Sequence, residues 1–65
     1  MKVINKNGKA IDFYTAVELM DAEICVKLSD DLAPCSQQEF FTAYEKAHKE
    51  KHGEDWELSK SNPVY

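Results

Sequence analysis

Arginine is absent from this chain. Guanidinium groups are the favoured bidentate donors to phosphate and to guanine edges, so a surface that reads DNA is hard to build without them. Glycine and proline occur only twice each, leaving no low-complexity tract or linker to divide domains. Cysteine also occurs twice, far below the density of a secreted disulfide scaffold. No apolar run approaches the ~20 residues of a membrane span, and Met1-Lys2 leads into polar residues rather than an apolar leader. The expectation is a cytoplasmic protein with free thiols, no membrane partner and no direct contact with nucleic acid.

What is present is compact and acidic. Hydrophobic residues make up 43% of the 65, and seven aromatics are among them, enough for a core and too many for disorder. Twelve acidic residues oppose eight lysines, for a net charge of −4. Domains this small bury only about 60% of the surface their unfolded chain exposes. A partner chain, a homodimer included, would add stability that the core alone supplies sparingly.

Residues 2–12, KVINKNGKAID, read as a β-hairpin. Asn7-Gly8 suits a two-residue type I′ turn, and counting outward pairs Lys6 with Lys9, Asn5 with Ala10 and Ile4 with Ile11. Residues 15–32 read as helix, with Thr15 and Glu18 as a capping box and Val17, Met20, Ile24 and Leu28 at helical spacing. Asp21 offers a restart that would split this helix, and Pro34 stops it. A second helix starts at a Ser36–Glu39 capping box, with Cys35 and Phe40 placed for a hydrophobic staple. Phe40, Tyr44 and Ala47 form its stripe, Phe41 lies at the margin, and Gly53 is the expected left-handed stop. Trp56 and Leu58 alternate with charges as a third short strand would. The fold class is α+β: two main helices packed antiparallel against an N-terminal hairpin. Residues 1–58 form the domain and residues 59–65 a tail. The expected core is Ile4, Ile11, Val17, Met20, Ile24, Leu28, Phe40, Tyr44, Ala47 and Trp56.

Catalysis and metal binding both fail on spacing. Cys35 precedes His48 by thirteen residues and His52 by seventeen, which resembles the back half of a two-Cys, two-His zinc finger. If Ser36 caps a helix running through His52, about 1.5 Å per residue separates Cys35 from His48 by roughly 20 Å. One zinc ion needs its ligands within ~2.3 Å. Cys25 lies nine intervening residues upstream of Cys35, not in a tight knuckle. His48 and His52 still share a face as an i, i+4 pair, which keeps a small metal-binding or DNA-associated regulator as a minor alternative. The same helix holds Cys35 away from either histidine as a catalytic base. No enzyme activity, no cofactor and no metal ligand is expected. The terminal Asn62-Pro63-Val64-Tyr65 matches a turn motif read by peptide-binding domains, and four residues alone carry little specificity.

The acidic clusters Asp30-Asp31 and Glu54-Asp55, with Glu57, are the candidate protein-binding residues. Such runs usually face water. Their functional reading is a negative face competing for a basic groove, in the manner of a DNA mimic. Phe41, at the margin of the stripe, is the candidate apolar anchor.

The stretch VELMDAEICVKLSDDLAPCSQQEFFTAYEKAHKEKHGEDWEL, residues 17 to 58, resembles short uncharacterised proteins of phages, prophages and conjugative elements of Gram-positive bacteria. The likeness lies in the acidic helix ending in LAPCS, the QEFFTAYEKAH helix and the GEDWEL ending. It implies a mobile-element origin and transfers no site residue. The leading expectation is a non-enzymatic protein-binding protein acting on a host or element-encoded protein. The alternative is an acidic inhibitor of a host defence nuclease, of anti-CRISPR or anti-restriction type.

Overall fold

The computed structural model describes residues 1–32 and 35–63. Among these residues, two antiparallel strands, β1 (Lys2–Ile4) and β2 (Ala10–Asp12), are followed by four helices: α1 (Phe13–Glu18), α2 (Ala22–Asp31), α3 (Gln37–His52) and α4 (Glu57–Lys60). The α+β class is as expected. The proposed stop at Pro34 and the end of the Asn62–Tyr65 motif fall outside the described residues.

The hairpin forms with its register moved by one. Val3, not Ile4, faces Ile11, and Ile4 pairs with Ala10. A longer loop causes the shift. Gly8 N–H donates to Asn5 O and Asn5 N–H donates to Lys9 O, both at 3.0 Å. Gly8 takes a φ of +91° while Asn7 stays at negative φ, so a type I turn followed by a left-handed glycine replaces the type I′ turn. Since side chains alternate along a strand, one residue of slip exchanges the faces. Val3 is buried and Ile4 is 47% exposed. The backbone of Ile4 is met by the Gln38 amide, which accepts from its N–H (2.7 Å) and donates to its carbonyl (2.8 Å). That pair closes the β1 edge against further strands and docks α3 on the hairpin.

Asp12, rather than Thr15, caps α1: its carboxylate accepts from the Thr15 N–H and hydroxyl. The helix therefore starts two residues early and turns Ala16 into the core, leaving Val17 exposed. Leu19 and Met20 close it with i→i−3 bonds. Asp21 then restarts the chain as α2, its side chain accepting from Glu23 N–H at 2.9 Å. Ser36 and Gly53 bound α3 as expected, Ser36 Oγ accepting from Glu39 N–H and Gly53 adopting φ +74°. Cys35 is exposed, and Phe40 packs edge-on against Phe13 instead of closing a staple.

No third strand forms near Trp56. Trp56 precedes the helical turn α4, whose Ser59 and Lys60 N–H groups donate back to its carbonyl. Ser59 is only 1% exposed, and the carbonyls of Leu58 and Ser61 accept from the buried Asn5 side chain. Asp21 at the start of α2 lies beside Lys51 and His52 at the end of α3, so the two helices run antiparallel. The core closes on Phe41, Tyr44 and Trp56, with Tyr44 and Trp56 ring centroids 4.5 Å apart.

Candidate protein-binding surfaces

The charged side chains separate into those that hold elements together and those left to solvent. Asp21 belongs to the first group. Its carboxylate meets Lys51 Nζ at 3.1 Å and His52 Nε2 at 3.1 Å, and Lys51 also reaches Glu23 at 2.7 Å. The Lys51 ammonium first, then His52 and the Glu23 N–H, hold the Asp21 carboxyl down at about 2 against a desolvation that opposes them. Asp55 is engaged in the same way. It pairs with Lys6 of the hairpin loop and with Lys49 of α3 at 3.7 Å, and the Lys6 bond holds its carboxyl below the ordinary range. Lys6 N–H in turn donates to Glu45 at 3.2 Å.

Glu54 and Glu57 flank Asp55 in sequence and are exposed, and among the described residues neither has a cation within ion-pair distance. Asp30 and Asp31 are exposed too. They sit in the last turn of α2, which carries no basic residue. There they face the negative end of the helix dipole, where like charge is unfavourable. This pair lies at the opposite end of the ten-residue α2 from Glu54 and Glu57, a helix about 15 Å long. The five acidic candidates are thus two surface groups at opposite ends of the helix pair, with Asp55 withdrawn into a structural ion pair.

Phe41 is not on either surface. It is fully buried at 0% exposure and packs on Trp56 with centroids 5.6 Å apart. Among the described residues, the large apolar side chains that do meet solvent are Tyr14 and Val17 on α1, Leu19 just after it and Val26 on α2, with Met1 and Ile4 at the hairpin. Leu19 shares a shallow depression with Trp56, Leu58, Glu54 and Glu57. Leu19 lies off the Val17, Met20, Ile24, Leu28 spacing and sits between two helices, at the C-cap of α1, so periodicity gives it no role.

The histidines are used locally. Their rings lie side by side with centroids 4.5 Å apart, tilted by 41°. His48 Nδ1 donates to the Glu54 carbonyl at 3.1 Å, while His52 Nε2 faces Asp21. Among the described residues no three His, Cys, Asp or Glu side chains converge as a metal site would need. Cys35 stands just ahead of α3 and both histidines stand at its far end. Among those residues, too, no helix is long and apolar enough to cross a membrane.

The sequence pattern of a family described as anti-CRISPR protein AcrIC5 matches residues 4–56. The match begins inside β1, so it takes in the hairpin loop that the resemblance over residues 17–58 left out, and it ends at Trp56. No curated protein and no solved structure matches the chain.

Proposed function

The chain belongs to the AcrIC5 anti-CRISPR family, a family of small phage and mobile-element proteins, and from that premise we propose that it is a non-enzymatic inhibitor that binds a protein component of a bacterial CRISPR effector. The family match carries this reading, and it favours the defence-inhibitor alternative over an unspecified protein-binding role or a metal-binding regulator. The place of action is the host cytoplasm, where the effector works.

The proposed mechanism is acidic competition for a nucleic-acid site. CRISPR effectors hold their heteroduplex and displaced strand in positively charged channels. A chain with no arginine, a net charge of −4 and unpaired surface carboxylates suits such a channel and repels DNA itself. Asp30, Asp31, Glu54 and Glu57 are the residues that would stand where phosphates do.

Two measurements test this. Expression of the protein in a panel of Gram-positive and Gram-negative strains with active CRISPR immunity should restore phage plaquing in at least one. The purified effector of that strain should then bind the protein in competition with target DNA. Neutralising Asp30, Asp31, Glu54 and Glu57 together should abolish binding. Undiminished binding by that variant, or binding indifferent to saturating DNA, would end the mimic mechanism.

A further inference from the structure

We propose that the depression between the end of α1, the end of α3 and α4 receives an arginine side chain from the nucleic-acid-binding surface of the protein partner, an inference that rests on the anti-CRISPR reading above. Leu19 is 59% exposed at the C-cap of α1, an apolar side chain left open beside the half-buried Leu58 and the buried Trp56. Glu54 and Glu57 stand at the same depression without a counterion among the described residues. An apolar wall beside uncompensated carboxylates suits a side chain with an apolar stem and a charged, weakly hydrated head. Arginine fits that description better than lysine, whose compact ammonium holds its water more tightly. A free metal ion or a phosphate would gain nothing from the leucines.

The other charges around the site sharpen the assignment. Asp55 lines the depression too but is committed to Lys6 and Lys49. His48 has its Nδ1 occupied by the Glu54 carbonyl. Lys60, the one lysine among the described lining residues, opposes an incoming guanidinium, and it makes no ion pair with Glu57 one turn earlier. The wall is also held in place before any partner arrives. Asn5 binds the carbonyls of Leu58 (2.7 Å) and Ser61 (2.8 Å), and Asn7 binds that of Ser59 (2.9 Å). A preformed wall lowers the ordering cost of association.

The experiment uses the purified CRISPR effector of a strain in which the protein restores plaquing, with association and dissociation rates measured for each variant. Glu54→Gln with Glu57→Gln should weaken binding about tenfold, mainly through faster dissociation, as loss of a desolvated charged contact does. Leu19→Ala should weaken it severalfold, while Lys60→Gln, which removes the opposing charge, should tighten it. Asp30→Asn with Asp31→Asn serves as the contrast, acting on association rate and its salt dependence. Wild-type dissociation in the Glu54/Glu57 variant, or unchanged affinity in both Leu19→Ala and Lys60→Gln, overturns the assignment while leaving the inhibitor reading standing. If instead the wild-type protein binds no such effector, the inhibitor reading falls first and this surface with it.

Discussion

A hydroxyl buried without a partner forfeits its hydration for nothing, a loss of about 1–3 kcal/mol. Ser59 Oγ is in that position, inaccessible and without a bond among the described residues, on an otherwise packed turn. Ser59→Ala should therefore stabilise the fold by about 1 kcal/mol, helped by the better helix propensity of alanine, and raise Tm by about 4–8 °C for a domain of this size. A fall in Tm would mean that the hydroxyl binds a buried water. Phe41 makes the opposite case. Its ring is wholly enclosed, so Phe41→Ala should cost about 3–5 kcal/mol, enough to unfold much of the population, with circular dichroism reporting loss of helix together with loss of any binding. Phe40 and Phe41 are indistinguishable as composition, and helical spacing puts Phe40 on the stripe through Tyr44 and Phe41 at its margin. Trp56 decides between them: it folds back over α3 and covers the side that carries Phe41. That choice depends on where a residue fifteen positions later returns, which periodicity within one helix does not encode. The acidic run Glu54-Asp55-Trp56-Glu57 was opaque for the same reason. The approach of Lys6, from the other end of the chain, together with Lys49 of α3, singles out Asp55.

Elements bounded by local signals were legible, and those set by distant contacts were not. Both ends of α3 follow from residues that touch it directly, Ser36 and Gly53, as does the break before α2 at Asp21. The hairpin register depends on Asn5, whose side chain accepts from Asn7 and Lys9 within the loop and donates to carbonyls 53 and 56 residues away. A residue so fully bonded selects the longer loop, and nothing near Asn7-Gly8 announces it. Asp21 joins elements in a comparable way, capping α2 and tying it to Lys51 and His52 of α3. Its folded carboxyl lies at about 2 against an ordinary 3.8. A depressed folded value means that the unfolded chain takes up the proton first, so the stabilisation is complete above about pH 4 and lost as pH falls toward 2. Denaturant midpoints between pH 5 and 2 should fall more steeply for the wild type than for Asp21→Asn. Parallel curves would show that the joint contributes nothing to acid sensitivity. Separately, Ser36→Ala should lower stability by about 1 kcal/mol, read from urea midpoints at unchanged slope.

At the scale of the whole molecule, the charges that stabilise the fold and the charges left over occupy different places. Asp12, Asp21 and Asp55 cap helices or bridge elements. Asp30 and Asp31 do neither, and they end α2 with the wrong sign for its dipole. A sequence that breaks a local rule without compensation in the fold is expected to do so at a working surface. This supplies a test in which stability and binding move in opposite directions. Asp31→Lys replaces an unfavourable charge at the C-terminal end of α2 by a favourable one, and should stabilise the fold by about 0.5–1 kcal/mol at low ionic strength. The gain should shrink in salt, because the site is exposed. The same variant should associate more slowly with the CRISPR effector, since it reverses a charge on the face proposed to meet a basic channel. Thermal melts and association rates at two salt concentrations measure both effects on one sample. A variant that is more stable and binds as fast as the wild type would show that Asp31 plays no part in steering the protein to its partner. Slower binding in a more stable protein would identify the end of α2 as a surface kept acidic at the expense of the fold.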